Sequence, residues 1–210
     1  MTEKSFFWDK IAAKYDKQVS GYTAAYEKTI ERSRKYCSEN DLLLDFACGT
    51  GITTLHLAPR VKEVHAVDIS RKMIGAAQEK TEKAGLKNVR FYHAGIFDNR
   101  FIPGTYDVIT AFNVLLFIKN LPGVFARIHD LLKPGGMLLS ATDCLGEKKT
   151  AVHVLQHMLG KAGLFPYTGL LTMDSLETAV SRYGFTVRET ENLHGSPPNY
   201  FIAAVKNSAD

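Results

Sequence analysis

The sequence predicts an α/β fold in which strands and helices alternate around a largely parallel sheet, and three observations carry that reading. From Leu42 onward, short apolar runs alternate with polar amphipathic segments, as expected of buried strands separated by surface helices. The first of those runs ends in an acid and enters a Gly-x-Gly turn, Asp45 to Gly51. The last two runs follow one another with only a proline-containing loop between them, which predicts an antiparallel pair. A chain of 210 residues has room for one core, and a content of 45% hydrophobic and 23% charged residues is too apolar for a disordered chain.

Residues 1–40 are rich in Lys and Glu but carry Phe6, Phe7, Trp8, Ile11, Tyr15, Tyr22 and Tyr26, a mixture that predicts two helices. Phe7, Ile11 and Tyr15 recur at i, i+4 and i+8, and this spacing alone favours packing onto the sheet over a cofactor lid. Strands are predicted at 42–46, 63–67, 89–93, 106–112 and 137–142. Between them, residues 70–84 form a surface helix with Met73, Ile74 and Ala77 as its apolar stripe, Ser70 as its N-cap and Gly85 as its stop. Residues 121–132 repeat the pattern with Val124, Phe125, Ile128, Leu131 and Leu132 on one face, and Pro134-Gly135-Gly136 turns the chain into the next strand. A long insertion over 146–171 follows, with one helix around 150–159 and then an irregular piece carrying Gly160, Gly163, Pro166 and Gly169; insertions of this length are often functional. Residues 185–191 and 200–205 close the chain as the antiparallel pair.

Several function classes recede on composition. A net charge of +4 from interleaved basic and acidic residues argues against a nucleic-acid partner. Cys37, Cys48 and Cys144 form no CxxC pair and their odd number excludes a complete disulfide framework, so a reducing cytoplasm is expected. The first ten residues lack the apolar run of a signal peptide. The most apolar stretch, 108–118, contains Thr110 and Asn113 and is far shorter than the roughly 20 residues of a membrane span.

The chemistry concentrates after the first strand. A glycine turn there lets backbone approach a ligand, because the missing Cβ permits both the conformation and the contact. A dinucleotide pyrophosphate calls for a third glycine at the sixth position, where this chain has Thr54, and Asp45 would repel phosphate. A nicotinamide-dependent oxidoreductase is thereby disfavoured. A ligand with an ammonium and a sulfonium but no phosphate suits the carboxylate, and S-adenosylmethionine is such a ligand. Asp68 ends the second strand at close to the roughly 20-residue spacing of a ribose-binding acid.

Taken in order, these residues resemble the class I S-adenosylmethionine-dependent methyltransferases over 11–206, and among them the small-molecule branch. Ile11-Ala12-Ala13-Lys14-Tyr15-Asp16 is similar to that branch's N-terminal signature, Asp45 to Gly51 to the first motif, and Asp68 with Ile69, Ser70 and Met73 to the ribose turn and the residue under the adenine. Ala94-Gly95-Ile96 sits where the family binds the adenine edge; Tyr106-Asp107-Val108-Ile109 and Leu131 to Gly136 are similar to the fourth strand and the turn before the fifth.

The resemblance implies a Rossmann-like, doubly wound sheet of seven strands, mostly parallel with the last antiparallel. It implies one domain over 1–210, with a helical cover (1–40), a cofactor-binding core (41–145), an insertion near the acceptor pocket (146–172) and a C-terminal helix and strand pair (173–210). The cofactor residues it implies are Tyr15, Asp45, Ala47, Gly49, Gly51, Asp68, Ile69, Met73, Gly95, Ile96 and Asn113. Three positions depart from the family: Ala47 where glycine is usual, Gly95 where many relatives have Asp, and Phe117 where many have His.

Candidates for acid or base work are Tyr15, Asp143, His153 and His157. The two histidines share a helix face at i, i+4, but without an H-E-x-x-H pattern no metal is expected. Cys144 reads as a small buried apolar residue rather than a nucleophile. The expected activity is in-line methyl transfer to a small molecule. A non-catalytic module that holds the same cofactor is the other alternative, and a nucleic-acid methyltransferase lacks its Asn-Pro-Pro-Tyr motif after the fourth strand.

Overall fold

The structure, a computed structural model, describes residues 3–207; the first two and last three residues of the expected domain lie outside that range. Five parallel strands, β1 (Leu42–Phe46), β2 (Glu63–Asp68), β3 (Val89–His93), β4 (Tyr106–Phe112) and β5 (Leu132–Asp143), are followed by a hairpin of β6 (Phe185–Gly195) and β7 (Pro198–Lys206). They form one sheet in the order β3-β2-β1-β4-β5-β7-β6, with β7 antiparallel to both of its neighbours. The chain winds outward from β1 to β3 and returns on the other side of β1 as β4. Connections therefore leave β1 and β4 in opposite directions, which opens a crevice at their carboxyl ends.

The continuous apolar runs exist because the sheet is covered on both faces. Leu43 and Leu44 are both fully buried but belong to opposite layers. Leu44 joins Val67, Ile109, Leu138 and Ile202 beneath α5 (Leu121–Leu131) and α7 (Met173–Arg182). Leu43 joins Val64, Val108, Leu139 and Phe201 beneath α3 (Ile52–Leu57) and α4 (Arg71–Lys83). A strand that meets apolar neighbours on both sides needs no polar alternation. Although β7 comes last, it is interior: Phe201, Ile202, Ala203 and Ala204 are completely buried.

The boundaries of β1, β3 and β4 match the sequence reading, and Ser70 caps α4 by accepting from the Met73 amide at 3.1 Å. β5 starts earlier than predicted. Leu132 already pairs with Tyr106, the register then shifts before Val108, and Pro134-Gly135-Gly136 is absorbed as an irregularity, with Gly135 at φ 73°. The final hairpin is also longer than predicted, because β6 and β7 extend until only Ser196 and Pro197 separate them. All three cysteines are free. Among the described residues, no helix is long and apolar enough to cross a membrane.

Two helices precede β1. The second, α2 (Thr23–Arg34), is tied to β6: Arg32 pairs with Glu191, Lys35 Nζ lies 2.9 Å from Glu189 Oε1, and the Tyr36 hydroxyl donates to Glu189 at 2.8 Å. The first, α1 (Glu3–Val19), lies against α4 and the turn after β1.

That turn holds three left-handed residues, Ala47 (φ 60°), Gly49 (φ 54°) and Gly51 (φ 78°). A Cβ on Gly51 would stand 3.0 Å from the Ala77 Cβ of α4, so glycine here serves the approach of two helices. Ala47 carries its methyl in a conformation costing about 1–2 kcal/mol for an L residue. Urea unfolding should therefore show Gly51→Ala losing about 2–4 kcal/mol, from backbone strain plus overpacking. Ala47→Gly should gain up to about 1 kcal/mol, the relief of strain reduced by the greater freedom of the unfolded chain. A neutral Gly51→Ala would show that α4 yields to the added methyl.

Candidate active site

Asp68, at the carboxyl end of β2, is the structural centre of the crevice. Its Oδ2 accepts from the Gly49 amide at 3.0 Å and its Oδ1 from the Ser70 amide at 2.7 Å. Burial pushes the carboxyl up to about 6, and the two amides limit that rise. Each oxygen keeps a lone pair directed elsewhere, so the group can still accept from a pair of ligand hydroxyls.

Asp45, at the end of β1, is also buried, with Oδ1 accepting from the Thr110 hydroxyl at 2.8 Å and Oδ2 from the Thr54 hydroxyl. Burial raises its pKa as well, against both hydroxyls. Thr54 occupies the position where a dinucleotide fingerprint has its third glycine, and here its side chain is committed to Asp45.

A cavity of about 400 Å³ opens at the carboxyl ends of β1, β2 and β4. Tyr15, Ala47, Gly49, Asp68, Ile69, Met73, Gly95, Ile96 and Asn113 all line it. Asp45 instead faces a side chamber of about 30 Å³ that shares Tyr15, Ala47 and Gly49 with the main cavity. Gly51 lines neither and packs on Ala77. At Gly95 a Cβ would meet only Ile69 Cγ2, at 3.9 Å, so the space beside it is open. Arg127 holds the segment after Gly95 by donating to the carbonyls of Ile96 at 3.3 Å and Phe101 at 2.6 Å.

Two of the α1 aromatics meet this cavity rather than the sheet, which the spacing of the stripe alone does not favour. Trp8 and Tyr15 line it. Trp8 stands edge-on to Phe117 at 5.0 Å between centroids, and Phe7 packs on Phe165 of the insertion at 5.3 Å. The acids of α1 explain its position. Asp9 accepts from the Ser70 hydroxyl at 2.6 Å and the Lys72 amide at 3.1 Å, while Asp16 accepts from the Thr50 hydroxyl and pairs with Lys80. A stripe of aromatics marks a buried face; these polar anchors decide what it is buried against.

A polar chain leads away from the cavity. Tyr15 faces Tyr26, and Tyr26 faces Asn113; burial raises both phenols. The Asn199 amide donates to Asn113 Oδ1 at 2.8 Å and to Asp143 Oδ1 at 2.7 Å. Asp143 is raised by burial and drawn back by Asn199 and by the His194 and His153 rings. His153 Nδ1 is buried without a partner among the described residues. His157 is separated from this group, its Nδ1 bonded to the Thr168 carbonyl at 2.7 Å, and so pins the insertion on itself. No group of three or more His, Cys, Asp or Glu residues among the described residues could hold a metal. Tyr26, Asn199 and His194 belong to no local motif; the pairing of Asn199 with Asp143 and His194 comes from strand register.

Comparison with known proteins bears on the same cavity. Residues 43–136 match the family model described as "Methyltransferase domain". The chain is 30% identical over 172 residues to the sterol 4-C-methyltransferase strm-1 of Caenorhabditis elegans, covering 74% of this chain and 48% of that one. Of three other curated relatives it spans 24% to 40% of the length. Among solved structures, a chain of the complex between the Haloferax volcanii Trm112 methyltransferase activator and a putative methyltransferase aligns over 95% of this chain and 97% of its own, with TM-score 0.76 at 16% identity. Geranyl diphosphate methyltransferase in complex with SAM aligns over 86% of this chain and 84% of its own, with TM-score 0.71 at 16% identity. At that identity the structures speak for the fold. Residues 43–136, which include the strands and turns that build the cavity, match a methyltransferase domain, and the chain as a whole has the fold of the class I S-adenosylmethionine-dependent methyltransferases.

Proposed function

We propose that the protein transfers the sulfonium methyl of S-adenosylmethionine to a small, largely apolar acceptor. The observation that carries this reading is the Asp68 carboxylate, buried, doubly held by backbone amides and facing a cavity whose far wall is apolar. Its lone pairs suit the two ribose hydroxyls, and Ile69, Met73 and Ile96 supply flat apolar contact for an adenine. Gly49, Ala47 and Tyr15 are left for the amino-acid end. Bound there, the cofactor supplies an electrophilic methyl group.

The rest of the cavity wall, from Trp8, Phe117, Ile118, Pro166 and Tyr167, offers an acceptor hydrophobic contact and few charges. The edge contact of Trp8 with Phe117 joins the first helix to that wall. Such walls act by holding the attacking atom in line and by desolvating it. A sterol, named for one similar protein, is an acceptor of this apolar kind, and geranyl diphosphate, named for another, joins an apolar chain to a charged diphosphate. A nicotinamide oxidoreductase fits less well, since Thr54 stands where the dinucleotide fingerprint has its third glycine and is bonded to the buried acid Asp45 beside that turn.

In calorimetry, S-adenosylmethionine and its demethylated product should bind at least tenfold more tightly than NAD or NADP, a difference of about 1.4 kcal/mol. Asp68→Ala should lose about 1–3 kcal/mol of that affinity. Unchanged binding by this variant would overturn the placement of the ribose.

Hydroxyl donors favour the ionised form of Asp68, whose ligand-free pKa is raised to about 6. Affinity should accordingly be flat above pH 6 and fall by up to about tenfold per unit below it. Asp68→Asn should bind weakly with no such slope; a slope that survives in Asp68→Asn belongs to another group.

Screening small acceptors for release of the demethylated cofactor tests turnover and acceptor class together. With an acceptor in hand, Asp143→Asn, His153→Ala and His157→Ala should each cost less than about a hundredfold in rate at saturating cofactor, the low end of what a positioned base contributes. A loss beyond a thousandfold in His153→Ala, with one limb of the pH profile removed, would instead identify a base on the insertion.

A further inference from the structure

The helix of the insertion, α6 (Ala151–Lys161), is turned inside out. Its polar side faces the protein: His153 Nδ1 is buried, His157 bonds the Thr168 carbonyl, and Gly160 sits so close to the following loop that a Cβ would be 2.8 Å from Tyr167 Cα. Its apolar side faces outward. Val152, Leu155 and Met158, which share a face by helical spacing, are 61%, 56% and 62% exposed. The stripe continues past the helix into Leu164, 77% exposed, and Phe165, whose ring packs on Phe7; next to it in sequence, Phe6 is also exposed.

Within the insertion the charge beside this stripe is of one sign, while Glu147, just before it, accepts from the Met173 amide at its far end. Residues 148–173 contain Lys148, Lys149 and Lys161 and no Asp or Glu. All three lysines are exposed, and none has an ion-pair partner among the described residues. Lys10 lies 4.2 Å from the centre of the Phe6 ring. An apolar stripe bordered by unpaired cations is the pattern of a helix lying in the headgroup region of an anionic bilayer. A second copy of the chain is a poorer occupant, since a two-fold interface would bring the same lysines face to face.

We infer that α6, with the Leu164–Phe165 tip and Phe6, docks the protein peripherally on an anionic membrane surface. Pro166 and Tyr167, which directly follow the tip, line the cavity, so this part of its wall borders the docked face. An acceptor dissolved in the bilayer then reaches the cavity without crossing water. That last step rests on the proposed methyl transfer, whereas docking itself does not.

Vesicle sedimentation tests docking without any turnover. The full chain should pellet with vesicles of phosphatidylcholine and phosphatidylserine at about 0.1 M salt, much less with phosphatidylcholine alone, and less again in high salt. Leu155→Gln with Met158→Gln should reduce partition at least tenfold. Lys148→Glu with Lys149→Glu should do the same selectively on anionic vesicles, because each surface lysine contributes about fivefold. Retained S-adenosylmethionine binding and an unchanged circular dichroism spectrum show that each variant is folded. Failure of the parent chain to pellet, or equal pelleting of parent and both variants, overturns the proposal. A parent dimer that the Leu155→Gln, Met158→Gln variant dissolves, with no vesicle binding, assigns the face to a second copy instead. Intact pelleting with no methyl transfer to any lipid-soluble acceptor overturns the proposed function and leaves docking standing.

Discussion

One carboxylate organises the functional end of this molecule. By accepting from the amides of Gly49 and Ser70, Asp68 joins the turn after β1 to the turn after β2, and both turns border the cavity. Neither amide is satisfied within a helix or a sheet ladder, so without the carboxylate each would be left unpaired in a part-buried place. Ser70 then passes the connection outward, since its hydroxyl both caps α4 and donates to Asp9. The position of α1 over the cavity therefore depends, through one serine, on the same acid.

The sheet was legible from sequence where burial on both faces writes an unbroken apolar run. β1 and β4 have that character and their limits follow from it, whereas β3, a half-buried edge strand, is read from Val89, Phe91 and Tyr92. The start of β5 was not legible, because Pro134-Gly135-Gly136 has the composition of a turn and only its pairing with β4 makes it part of a strand. Likewise the hairpin lengthens through cross-strand pairing of residues such as His194 and Asn199, which have no strand propensity to announce it.

The site divides along the same line. Residues carried on local motifs, such as Gly49, Asp68, Met73 and Ile96, come to the cavity because a strand end and the turn after it are fixed together. Gly51 shows how a motif position can have a different physical task, here the approach of α4. Tyr26, Asn199 and Trp8 arrive from three distant elements, and what places them is the register of β7, the ion pairs of α2 with β6 and the acids of α1. The outward-facing stripe of α6 belongs with these: its periodicity is that of any amphipathic helix, and only the inward-turned His153 and His157 reveal which side is in.

The interior position of β7 has a consequence for how the protein is made. Its neighbours β5 and β6 do not touch in the sheet until β7 lies between them. During synthesis, residues 42–195 can emerge from the ribosome while β5 still exposes a bare edge and the helices of the two layers lack Ile202 and Phe201, respectively, as packing partners. The nascent chain must hold that edge out of reach of other chains until Lys206 has cleared the exit tunnel. Chaperone capture and stop codons within 198–206 thus bear on this protein far more heavily than its nine-residue final strand would suggest.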